Sequence, residues 1–210
     1  VLHLAIFDAM GHDISSGLTA SIAMGTARNN RRQGKGLVTI GEKIDKAIAE
    51  QFDPPRFTTG ILASLDTRTG RLSWVNRGHH PPLVLRQGRQ VAVLESAPSS
   101  PMGFGLEDPA ELSHYQLEPG DRLVFYTDGV VEARSPVGEL FGLERFTDFI
   151  IRREADGLAP PETLRRLIQT ILDHHDGRLQ DDATVLLVEW AVRREEQLTP
   201  NGRCWRREPV

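Results

Sequence analysis

The stretch from Phe57 to Asp128 constrains the fold most, because it alternates short apolar runs with turn words at intervals too brief for helices. FTTGILASLD and RLSWVNRG flank Thr67-Arg68-Thr69-Gly70, which predicts a hairpin. PLVLR and VAVLE flank Gln87-Gly88-Arg89 and predict a second. LSHYQL and DRLVFYTD flank Glu118-Pro119-Gly120 and predict a third. Between the last two, Ala97 to Pro109 is rich in Pro, Ser and Gly and is expected to be a loop.

Helical spacing appears on both sides of this region. Ile14, Leu18 and Ile22 recur among Ser15, Ser16, Gly17, Ala20 and Ser21, small residues that suit a helix packed closely on its neighbours. Leu37, Ile40, Ile44 and Ile48 mark a second helix beyond Gly34 and Gly36. Leu143, Phe146, Phe149 and Ile150 mark a third. Leu164, Leu167, Ile168, Ile171 and Leu172 mark a fourth after Pro160-Pro161. VLHLAIF at residues 1–7 and ATVLLVEW at 183–190 read as buried strands. Two helices, a run of hairpins, two helices and a closing strand predict an α+β sandwich. Residues 1–190 are expected to form one domain, and 191–210 to form a polar tail in which the apolar pattern stops.

Composition excludes several classes of partner. With 210 residues, 39% of them hydrophobic, the chain has enough material for a real core. A net charge of −4 offers no polybasic surface for nucleic acid or an anionic membrane, and gives a nuclease no basic groove. No apolar run approaches the roughly 20 residues that a membrane span needs. Cys204 is the only cysteine, so intrachain disulfides and Cys-based zinc sites are excluded. No signal peptide is seen, and a reducing cytoplasm is the simplest home.

Three acidic positions sit where an apolar strand meets a turn: Asp8, Asp128 and the pair Asp181-Asp182. Taken singly, each is an ordinary turn or capping residue. Asp13 reads as the cap of the Ile14 helix, and Asp66 as a turn residue. Taken jointly, rigid strand ends can hold several carboxylates together without partners of their own, as a site for hard cations requires. Two histidine pairs carry less weight. His79-His80 lacks convergent ligand spacing, and His174-His175 ends a predicted helix, where the dipole favours histidine.

The strings DAMGHDISSGLTAS, WVNRGHHPPLVL, PMGFG, LVFYTDGVVEAR with GELFGLERF, and QDDATVLLV follow one another in this order. Together, over residues 2 to 190, they resemble the type 2C (PPM) metal-dependent serine/threonine protein phosphatases, in the branch of stage II sporulation protein E and the sigma-B regulator phosphatases. The resemblance implies a four-layer α-β-β-α sandwich of two antiparallel sheets flanked by helices, here without the family's first strands and their Gly-Gly-Asp-type acidic motif. It implies two Mn²⁺ or Mg²⁺ ions between the sheets. Asp8 falls on the bridging aspartate, Ala9 on the residue that lends a backbone carbonyl, and Asp128 and Asp181 on the aspartates of the other metal. Asp182 falls on a neighbouring position that orients water or its neighbour. Asn76-Arg77-Gly78-His79 matches a structural turn.

The implied chemistry is in-line attack on phosphorus by metal-bound water held through Asp8, Asp128 and Asp181. No phosphoenzyme is needed, so Ser15, Ser16 and His12 need form no triad. Met10 stands where many eukaryotic members carry a histidine, and His12 nearby reads as structural. The implied substrate is a phosphorylated regulatory protein, an anti-sigma-factor antagonist, with an upstream sensor domain and a homodimer as further expected partners. The helices after Asp8 are implied to be a regulatory switch. The competing class is a degenerate phosphatase-like module that binds or dimerises without catalysis; intact Asp8, Asp128 and Asp181 favour the enzyme.

Overall fold

Side-chain alternation within the strands assigns the layers. In the strand holding Ile61, Leu62 and Ala63, the first and third enter one core while Leu62 enters another on the opposite face. Leu123 and Phe125 likewise face one way, Val124 and Tyr126 the other. Both faces of these central strands are therefore covered, and they read as near-continuous apolar runs.

The computed structural model describes residues 1–106, 108, 110–174 and 182–191. Its strands are β1 (Leu2–Ala9), β2 (Thr58–Leu65), β3 (Arg71–Arg77), β4 (Leu83–Arg86), β5 (Arg89–Val93), β6 (Ser113–Gln116), β7 (Arg122–Tyr126) and β8 (Val185–Glu189). Its helices are α1 (Ile14–Arg32), α2 (Leu37–Ala49), α3 (Asp128–Val131), α4 (Leu143–Ala155) and α5 (Pro160–His174). The first sheet has the order β1-β2-β3-β6 and the second β5-β4-β7-β8, with antiparallel neighbours throughout.

Three cores separate four layers. Ile6, Ile61, Leu72, Trp74, Val84, Leu123 and Phe125 pack between the sheets. Ile40, Ile44, Ile48 and Ala23 seal α1 and α2 onto Leu62 and Met102 of the first half. Phe146, Ile150, Leu167 and Ile171 seal α4 and α5 onto the outer face of the second sheet. This is the expected α-β-β-α sandwich. None of the helices among the described residues is long and apolar enough to cross a membrane.

Two expectations change. The first two hairpins form, but the third does not: β6 pairs with β3 in the first sheet, whereas β7 pairs with β4 and β8 in the second. Glu118-Pro119-Gly120 instead carries the chain between sheets. The crossing is fixed by Asp121, fully buried, which accepts from Arg86 at 2.6 and 2.8 Å and from the Glu118 amide at 2.8 Å. A turn word reports a reversal and not the sheet that receives the next strand. Strand β1, expected to be buried, lies at the sheet edge, with Ile6 its one buried residue. The expected tail falls on 192–210, outside the described residues, apart from its first residue, Ala191.

Candidate metal centre

Period-two alternation carries Asp8 to the face between the sheets. Leu4 and Ile6 pack toward that core, and Asp8 follows at the strand's end, opposite Thr59 in the β1–β2 register. The backbone there is held firmly. The Thr58 hydroxyl lies 2.8 Å from the Asp8 carbonyl and 3.0 Å from that of Thr59, and the Met10 amide donates to the Phe57 carbonyl at 3.1 Å. Asp13 caps α1, accepting from the Ser16 amide at 2.8 Å, and pairs with Arg56 at 2.7 Å. The Ser16 amide first, and Arg56 second, hold its carboxyl below the usual range.

From the second sheet, Thr127 and Asp128 leave β7 and open α3, a short helix that the sequence pattern did not reveal. The Thr127 hydroxyl donates to the Asp182 carbonyl at 3.2 Å and accepts from the Thr184 amide at 2.9 Å. The Thr127 amide donates to the Thr184 carbonyl at 3.1 Å. Gly129 packs so closely on the Asp182 carbonyl that a Cβ there would collide with it. This knot sets Asp128 beside the segment bearing Asp182.

Asp8, Ala9, Thr127 and Asp182 line one cleft of about 260 Å³, and Ser16, Gly17 and Ala20 of α1 line it too. Two acidic residues far apart in sequence, one from each half of the sandwich, thus border the same cleft. Asp128 follows directly on Thr127 of the wall but is not itself part of the lining. Asp182, expected to play a supporting role, lines the cleft directly. Asp181 lies outside the described residues. Among the described residues no three carboxylate, imidazole or thiol groups converge closely enough to hold an ion by themselves.

The donor chemistry still fits a hard cation, since Mg²⁺ is commonly bound through one or two carboxylates, with water completing its shell. No lysine or arginine is among the described residues that line the cleft. The polar side chains of the lining are those of Asp8, Asp182, Ser16, Thr127 and Thr184, so positive charge for a bound anion would have to come from cations.

The remaining sequence candidates fall outside the cleft wall. His12 is exposed, and Asp66 accepts from the Arg68 amide at 2.9 Å in its turn. His174 ends α5 and contacts Arg145 and the Glu139 carbonyl, while His175 lies outside the described residues. His79 closes the expected turn: its amide donates to Asn76 Oδ1 and its carbonyl accepts from Asn76 Nδ2, both at 2.8 Å. Its Nδ1 lies 2.8 Å from the Thr59 hydroxyl, next to the register partner of Asp8. Burial first, and His80 second, push its pKa down to about 4, against weaker opposing effects of the Tyr126 backbone and the Asp128 carboxylate. His79 therefore stands neutral at the seam between the sheets. Sequence reasoning had identified the turn but missed this bridging position and the knot made by Thr127; the one available signal was a threonine directly before the strand-end aspartate.

Protein IcfG of Synechocystis is 32% identical over 69% of this chain, which spans 22% of that protein. Phosphoserine phosphatase RsbP of Bacillus subtilis is 28% identical over 89% of the chain, which spans 45% of RsbP. The chain thus covers less than half the length of either relative. Among solved structures, the SiaA-PP2C domain of Pseudomonas aeruginosa superposes with a TM-score of 0.74 at 19% identity, covering 89% of this chain and 75% of that one. The catalytic domain of the serine/threonine phosphatase PstP, solved with two manganese ions, gives 0.58 at 19% identity, covering 88% and 86%. Both show a shared fold. The model of the stage II sporulation protein E family matches residues 1–191, and the chain belongs to that family.

Proposed function

We propose that this chain is the catalytic domain of a metal-dependent serine/threonine protein phosphatase that acts on a phosphorylated regulatory protein, an anti-sigma-factor antagonist. The observation that carries the reading is the single cleft in which Asp8 of one sheet and Asp182 beside the other meet, with no basic side chain among the described lining residues. Membership of the family supports it, as do the name of RsbP and the manganese ions of the PstP structure.

In this reading Asp8, the Ala9 carbonyl, Asp128 and Asp181 hold two Mn²⁺ or Mg²⁺ ions, and Asp182 orients groups beside them. When bound, such a pair supplies positive charge to the phosphoryl oxygens and acidity to the attacking water. The chain's own part is placement. The Thr58 hydroxyl fixes the Asp8 backbone, Thr127 ties residues 182 and 184 beside Asp128, and the small Ser16, Gly17 and Ala20 leave room for a phosphorylated side chain. An upstream sensor domain, a homodimer and a cytoplasmic location belong to the same proposal.

The test is phosphate release from a phosphoserine protein by the full-length enzyme. Activity is expected only with Mn²⁺ or Mg²⁺, and a chelator should abolish it. Asp128→Asn, which removes a charge without changing size, should lower turnover at least about a hundredfold while the fold survives. Chelator-resistant turnover, or a fully active Asp128→Asn protein, would contradict the reading.

A further inference from the structure

Asp45 lies on α2 between Ile44 and Ile48 and is only 5% exposed. One of its carboxylate oxygens, Oδ1, accepts three successive backbone amides: Gly103 at 2.6 Å, Phe104 at 3.0 Å and Gly105 at 3.1 Å. Consecutive amides converging on one anion form a nest, and a charged acceptor makes such bonds stronger than neutral ones. Gly103 is held at φ +127 between the Ile48 side chain and the Arg56–Phe57 backbone, so closely that any Cβ would collide with the Arg56 carbonyl. The loop is pinned further along by Arg77, 2% exposed, which donates to the carbonyls of Ser100 at 2.9 Å and Asp108 at 2.8 Å.

The residue before the nest continues the connection. Met102 and Thr58 exchange both backbone hydrogen bonds, at 2.8 and 2.9 Å, as an isolated bridge outside the named strands' ladders. The Thr58 hydroxyl then reaches the Asp8 carbonyl, and the adjacent Phe57 carbonyl holds the Met10 amide. A continuous path of hydrogen bonds and one peptide link runs from the α2 carboxylate through residues 103, 102 and 58 to the backbone around Asp8.

We propose that Asp45 is a positioning residue that, through the 102–105 loop and Thr58, holds the Asp8–Ala9 backbone in the geometry of the cleft. The metal consequence rests on the function proposed above; the mechanical coupling does not. Asp45 touches neither the cleft nor any group in it, so its effect reaches the site through placement alone.

Two measurements on the full-length protein separate the coupling from the metal reading. Hydrogen–deuterium exchange in metal-free protein follows residues 103–105, 57–59 and 8–10, and calorimetry follows Mn²⁺ binding. Asp45→Ala should speed exchange at least about tenfold in all three segments and weaken Mn²⁺ binding roughly tenfold. Asp45→Asn keeps the size and a neutral acceptor; it should give the same pattern more weakly, and serves if the alanine variant does not fold. Leu37→Ala, at the far end of α2, should lower stability without altering exchange at 57–59 or 8–10, and without altering Mn²⁺ affinity. Faster exchange confined to 103–105 would make Asp45 a loop anchor only and overturn the proposal. So would an Asp45 variant whose pattern matches Leu37→Ala. Wild-type protein that binds no Mn²⁺ would count against the proposed function, while the exchange data still decide the coupling.

Discussion

Beneath α4 and α5 the second sheet meets its helices through large side chains: Tyr126, Phe141, Phe146, Ile150, Leu167 and Ile171 are all nearly or fully buried. Beneath α1 the first sheet meets Ser16, Thr19 and Ala23, and the bulky Ile14 and Leu18 of that helix point outward at 94% and 49% exposure. Aliphatic α2 lies between these extremes, with Ile40, Ile44 and Ile48 buried and Asp45 fastening the neighbouring loop. The α4–α5 layer and α2 are therefore anchored by buried area. Helix α1 is anchored instead by close approach, a capping aspartate and hydrogen bonds, and it is α1 that lines the acidic cleft. Buried area contributes roughly in proportion to its extent, whereas a close small-residue contact depends on the neighbour's shape and is lost when a side chain is enlarged.

The largest break in this comparison should come from the aromatic side. Phe146 is fully buried, with its ring 5.2 Å from that of Tyr126. Phe146→Ala should cost about 3–5 kcal/mol, read as a lowered urea midpoint. A cost below about 1 kcal/mol would show that the α4–α5 layer is not anchored by area, and the contrast would collapse.

The seam between the halves should respond to acid. His79 has an ordinary value of 6.5 and a folded value of about 4, chiefly through burial, so the unfolded chain binds its proton more tightly. The His79 contribution is therefore intact above about pH 6.5 and is lost progressively as pH falls toward 4, by up to roughly 3 kcal/mol. Urea midpoints measured across that window should fall with pH for the wild type and show a shallower slope for His79→Gln. Parallel profiles would mean that the histidine is not held neutral at the seam.

The sequence disclosed these regions unequally, for physical reasons. Strand alternation and the Ile40–Ile44–Ile48 face were legible because burial there follows element period. The Asp8 position was legible as a strand end, and Asp13 as a cap, because both are local. The crossing at Glu118-Pro119-Gly120 was not, since it depends on Asp121 finding Arg86 from another strand. Nothing in the helix pattern marks Asp45; only the loop 58 residues later makes it an internal acceptor. In α1 the small residues that suggested close packing do turn inward, Ser16 among them, but the apolar spacing did not show that Ile14 and Leu18 would be left exposed while Ile22 packs against the α2 cluster. Helical periodicity marks the element; which of its side chains the neighbour admits depends on how closely that neighbour approaches.

The placement of small residues inward and of Ile14 outward supplies the finest test of the comparison, made on one helix with two substitutions. Ala23 is fully buried against the α2 and Leu62 cluster, so Ala23→Leu must displace packed neighbours. It should cost about 1–3 kcal/mol despite adding apolar surface. Ile14, at 94% exposure, has almost no contact area to lose, and Ile14→Ser should change stability by no more than about 0.5 kcal/mol. Urea midpoints of the two variants read the difference directly. If Ile14→Ser instead destabilised the protein as much as Ala23→Leu, the outward face of α1 would be covered in solution. If Ala23→Leu were neutral, α1 would already have room to shift against the sheet, and the close approach that distinguishes this helix would not be what holds it.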